Sequence, residues 1–106
     1  MILNSDTGSN ITLEEAKNYT HTFQENNQEA IKSFFVGAKK LQQILSQDGC
    51  IGVRIYNGSN TQNYHQSNLV LVGVDKNGED LSEGVIIENL APCPSNCPQS
   101  SPLIKY

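Results

Sequence analysis

The sequence predicts an α+β domain: two N-terminal helices packed on a three- or four-stranded antiparallel sheet, with an extended C-terminal tail. Three observations predict it. A helix-start signal at Thr12 leads into an apolar stripe that runs from Ile31 to Leu45 at helical spacing. From Ile51 onward the pattern switches to alternating or continuous apolar runs joined by turn residues. Residues 92–102 then hold all four prolines and two of the three cysteines, which no helix or central strand tolerates.

Residues 1–11 are polar, carry Gly8 and read as a flexible arm. Thr12 is a good N-cap, and Glu15, three residues on, completes a capping box. Ile11 and Ala16 take the staple positions, and Glu14 and Glu15 suit the positive end of the helix dipole. Ala16, Tyr19, Thr20 and Phe23 share one face, and the helix ends near Glu25, before Asn26-Asn27.

A second helix is predicted over Gln28–Gln47. Its stripe is Ile31, Phe34, Phe35, Ala38, Leu41 and Leu45, with Ile44 at the edge. Gly37 lies inside it, at a cost of about 1 kcal/mol relative to Ala. Asp48-Gly49 reads as the stop.

Ile51, Val53 and Ile55 alternate with Gly52, Arg54 and Tyr56, a half-buried strand. Residues 57–67 read as a long polar loop. Leu69–Val74 is apolar on both faces and is predicted as the central strand. Asn77-Gly78 signals a two-residue hairpin, and Val85–Glu88 a third strand. The organisation predicted is an arm over 1–11, one domain over 12–91 and a tail over 92–106. The second apolar face of the central strand needs a cover, and a second copy of the chain is the simplest.

Composition narrows the function classes. The chain has 106 residues, a single-domain length. Only 37% are hydrophobic and 17% charged, so the core is thin and the polarity comes from Asn, Gln and Ser. Net charge is −4 and the basic residues are scattered, with Lys39-Lys40 the only adjacent pair, which disfavours nucleic-acid binding. No apolar run approaches the ~18 residues of a membrane span. Residues 1–10 lack a basic and then apolar leader, so the expected location is cytoplasmic, or exported by a route that needs no such signal.

The sharpest local feature is Cys93-Pro94-Ser95-Asn96-Cys97. Four readings are open: a redox pair, half of a metal knuckle, a local disulfide, or two structural thiols. Three residues separate the cysteines, whereas thioredoxin-type motifs have two, and Pro98 and Pro102 follow where a redox pair needs a helix. Structural zinc wants four ligands, and only Cys50, His21 and His65 remain to complete a set. Antiparallel topology places Cys50 at the far edge from Cys93, which reads as a buried small residue. Asp75–Asp80 misses the calcium-loop spacing and reads as a turn. Arg54, Tyr56 and Tyr64 form the candidate interaction surface.

Residues Gly49-Cys50-Ile51-Gly52-Val53-Arg54-Ile55-Tyr56, the Leu69–Asp80 segment and Pro92–Cys97 together resemble a group of small uncharacterised bacterial proteins of similar length. The resemblance covers most of the chain from residue 12 and implies a complete protein, with no function to carry over. A weaker likeness is to A-type iron–sulfur carriers, which share the length, the Gly-hydrophobic-Arg strand and three cysteines. In that family the first cysteine follows the strand, whereas Cys50 precedes it, and the last two are spaced Cys-x-Cys. The expected function is a non-enzymatic protein-interaction or self-assembly module, homo-oligomeric and without a cofactor. The alternative is a metal or iron–sulfur binding protein using Cys93, Cys97 and Cys50.

Overall fold

The computed structural model describes residues 2–106; Met1, the first residue of the expected arm, lies outside them. The chain is α+β, with two helices and two antiparallel sheets. In order the elements are α1 (Leu13–Asn26), β1 (Ser33–Phe35), α2 (Ala38–Leu45), β2 (Gly52–Tyr56), β3 (Val70–Val74), β4 (Ile86–Ile87) and β5 (Ala91–Cys93). They fall into two compact units where the sequence predicts one domain and a tail. The first unit is Val36–Leu90 with the N-terminal segment up to Thr7, and the second is Gly8–Phe35 with Ala91–Tyr106.

In the first unit α2 packs on β2 and β3 of a three-stranded antiparallel sheet ordered β2-β3-β4. The central strand is the predicted one. Ile44 of α2 is 0% exposed, and Leu71, Val72 and Val74 of β3 are buried. The opposite faces of β3 are thus both covered, because Leu71 and Val72 point to opposite sides of a pleated strand. Gly73 leaves room for neighbours: a Cβ there would stand 2.9 Å from Gln47 Nε2 and 3.1 Å from Cys50 Sγ. Gln47 in turn accepts from Val85 N at 2.8 Å and donates to Ile44 O at 2.9 Å, tying the end of α2 to the approach of β4.

The expected helix over Gln28–Gln47 is cut to its C-terminal half. Gly37 is the N-cap of α2, with extended φ −66° and ψ 145°, and not an interior residue. Before it, Phe34 and Phe35 belong to a strand. Aromatic residues suit a pleated surface as well as a helix, and spacing alone does not separate the two over so short a run.

The connection from β3 towards β4 begins with a hairpin turn whose loop has three residues, 76–78, one more than predicted. Gly78 N donates to Asp75 O and Asp75 N to Glu79 O, both at 2.9 Å, and Gly78 takes φ 80°. A turn followed by a left-handed residue needs Gly there. Asp75 Oδ1 accepts from Asn77 N and Glu79 N, which makes this aspartate a turn former. Residues 57–67 are not a free loop either. The β2–β3 ladder continues through them in register, with Asn68 N donating to Gly58 O and Asn60 N to Gln66 O. The tip is closed by Asn60 Oδ1, which accepts from Gln62 N and Asn63 N.

The second unit joins α1 to a two-stranded antiparallel ribbon, β1–β5, and to the C-terminal segment. The capping box forms as read: Glu15 N donates to Thr12 Oγ1, and Thr12 N donates to Glu15 Oε1. The tail is pinned to α1. Buried Gln24 donates from Nε2 to Leu103 O at 3.0 Å and accepts at Oε1 from Lys105 N at 2.8 Å. Lys105 also pairs with Glu25, and His21 Nε2 lies 3.0 Å from Pro102 O. Cys93 and Cys97 are joined in a disulfide, with Cys93 0% exposed.

Candidate interaction surface

Arg54 and Tyr56 are two apart on β2 and therefore share one face. Their cross-strand partners on β3 are Val72 and Val70. The hairpin brings a third residue to them: Asp80 bridges to Val74, the next position along the same face of β3. Arg54 Nη1 donates to Asp80 Oδ1, and Nη2 to Gly78 O at 3.2 Å. Tyr56 OH donates to Asp80 Oδ2. One carboxylate thus holds both candidate side chains, and the guanidinium charge is neutralised within the unit.

This constellation has electrostatic consequences. The hydrogen bond from Tyr56, supported by Arg54, holds the Asp80 carboxyl below its ordinary value. The same hydrogen bond to Asp80 pushes the Tyr56 phenol above its ordinary value. Asp80 thus stabilises the fold above the usual carboxylate range and loses that contribution as pH falls through its lowered pKa. Tyr56 stabilises below about pH 10 and loses its contribution as pH rises through its raised pKa. The stability difference between the wild type and Asp80→Asn is expected to be flat from about pH 5 to 9 and to narrow below about pH 4. Urea midpoints measured across pH check this, and a difference that stays constant at acid pH contradicts it.

Tyr64, the third predicted residue, is elsewhere. It sits in the hairpin tip and packs against His65, ring centroids 4.2 Å apart. Asn60 lies four residue steps of paired strand beyond Tyr56, about 14 Å of rise, so the tip stands clear of the Arg54–Tyr56–Asp80 cluster.

The ladder's phase leaves β2 with an open edge. Bonded pairs alternate with unbonded ones in an antiparallel ladder. The Gly58–Asn68 and Asn60–Gln66 bonds put the even-numbered residues of this strand in the bonded set. Val53, Ile55 and Asn57 therefore turn their N–H and C=O groups away from β3. Among the described residues no segment bonds to those groups. Ile55 is 61% exposed and Tyr56 45%. Beside this edge, a cavity of about 400 Å³ is lined by Leu3, Asn4, Ser5 and Thr7 together with Ile51, residues of β2 and Val74. Arg54 is the single titratable residue lining it, and a guanidinium does not exchange protons near neutrality.

No protein-family model matches this chain, and no curated protein or solved structure is significantly similar to it.

The cysteines do not converge. Cys93 and Cys97 are spent on each other, so neither is a free thiolate for a metal. Cys50 belongs to the first unit and donates from Sγ to Gly52 O at 3.2 Å. Among the described residues no group of three His, Cys, Asp or Glu side chains is placed to hold a metal ion. The residue missed by sequence reasoning is Asp80, read only as part of a turn. Its signal was present: an acidic residue two positions after the hairpin glycine, on the return strand one β3 width away from Arg54 and Tyr56.

Proposed function

We propose that the chain is a non-enzymatic protein-association module that works through the surface formed by β2 and the Arg54–Tyr56–Asp80 cluster. The observation that carries this reading is the edge of β2, where unpaired backbone groups coincide with exposed Ile55 and Tyr56. Such an edge is a template for strand addition. The cluster keeps the strand's one charged side chain compensated, so an approaching strand meets no isolated charge. The disulfide supports export over a cytoplasmic location, because such bonds persist in oxidising compartments. Sedimentation velocity on the oxidised full chain across the micromolar range tests self-association. A concentration-dependent shift to a larger species is expected; a species that remains monomeric throughout removes the self-assembly reading.

A further inference from the structure

We propose that α1 carries a docking site, centred on Gln24, for a turn-shaped segment in which an apolar residue precedes a lysine, and that residues 98–106 of the same chain occupy it as a releasable latch. Every residue of the site and of the latch belongs to the second unit, so the proposal does not depend on the β2 edge.

The latch keeps its shape through bonds among its own residues. Ile104 N donates to Ser101 O and Leu103 N to Ser101 Oγ, both at 3.2 Å, which closes a turn. The Tyr106 hydroxyl brackets that turn: it accepts from Ser101 N at 3.0 Å and donates to Pro98 O at 2.7 Å. Pro98 and Pro102 restrict the backbone further. A segment ordered in this way loses little conformational freedom when it docks.

The segment meets α1 at few points. Gln24 is the single buried polar side chain among the described residues. Its amide donates to Leu103 O and accepts from Lys105 N, so it holds the backbone on either side of Ile104. Ile104 is the one buried residue of the segment. Glu25 pairs with Lys105. Backbone bonds that give affinity, one apolar anchor and one charge that gives specificity are the parts of a short-motif recognition site.

Release requires only local change. Residues 94–100 are exposed, and the disulfide fixes Cys97 to Cys93, so the latch can leave α1 without opening the β1–β5 ribbon. A cavity of about 220 Å³ beside the contact is lined by Gln24, Glu25, Gln28, Lys32, Lys105 and Tyr106, which brings solvent to the lysine end. Once the latch is off, the centre of the site is an amide, which water satisfies.

The test is a nuclear magnetic resonance titration of the oxidised full chain with an acetylated peptide of residues 98–106, read at the Gln24 side-chain amide. In the wild type the tail competes at an effective concentration of about millimolar, so little shift is expected. Ile104→Asp puts a charge at the buried anchor and opens the site. Added peptide should return the Gln24 signals of this variant toward their wild-type positions, with an apparent Kd at least about tenfold below that of the wild type. A peptide carrying the same Ile104→Asp change should bind neither chain. If Ile104→Asp loses its helical circular dichroism, Lys105→Glu, which opposes Glu25 at the exposed end, takes its place. A folded, opened chain whose Gln24 signals stay unmoved at millimolar peptide overturns the docking site. Loss of α1 in both variants overturns the latch, because the segment is then inseparable from the unit.

Discussion

Ile44→Ala is expected to cost about 2–5 kcal/mol, the largest effect of any single truncation in the first unit. Ile44 is 0% exposed and sits on α2, which packs on β2 and β3. Buried apolar residues are few in the first unit: besides Ile44 they are Leu71, Val72 and Val74, divided between the two faces of β3. A core this thin has little with which to refill the space left by a sec-butyl group, so the residual cavity adds to the lost transfer energy. Total stabilities of small domains are only about 5–15 kcal/mol. Leu45→Ala, one residue along and 47% exposed, is the internal control and should cost about 1 kcal/mol or less. Urea unfolding of both variants checks the pair, and an Ile44→Ala loss equal to that of Leu45→Ala contradicts this account of the core.

Reduction of the Cys93–Cys97 bond is expected to cost about 2 kcal/mol in the chain-entropy relation for so short a loop. The effect should be local to the second unit. The ribbon and the tail depend on a backbone that the disulfide holds in place: Lys32 N donates to Cys93 O, and Asn96 N to Pro92 O. Hydrogen exchange on oxidised and reduced protein reads this directly. Amides of Lys32, Asn96 and Lys105 should exchange faster after reduction, while those of β3 stay protected. The same result in Cys97→Ser separates loss of the bond from effects of the reductant. Equal protection of the tail in both states would show that Gln24 and Ile104 alone suffice to hold it.

Local signals in the sequence were reliable where one segment decided its own structure. The box at Thr12 and Glu15 set the start of α1, and alternation set β2. The continuous apolar run set the central strand. What was not legible depended on partners far along the chain. Phe34 and Phe35 fit a helical stripe and a strand equally, and the choice is made by β5, which pairs Phe34 with Pro92. Pro92 in turn hides β5, since a proline-bearing run reads as tail until its edge position is known. The polar composition of 57–67 masked a continuing ladder, because its bonds are made by backbone and asparagine side chains and leave no hydrophobic trace. The candidate surface was half legible for the same reason. Arg54 and Tyr56 follow from strand alternation, but Asp80 joins them through hairpin geometry, and Tyr64 is carried off by the extended ladder.

The second unit is assembled from two pieces of chain with the bulk of the first unit interposed between them. Phe35 and Ala91, where the chain leaves and returns, are cross-strand partners. Gln24 and Lys105, bonded to each other, are 81 residues apart. Closing so long a loop has an entropic cost that grows with the logarithm of its length. A folded insert shortens the loop that must be closed, so the stability of the ribbon is thermodynamically coupled to a unit whose residues make none of its rungs. In contact-order language, the chain confines its local pairings to the insert and leaves the remote ones to the frame around it.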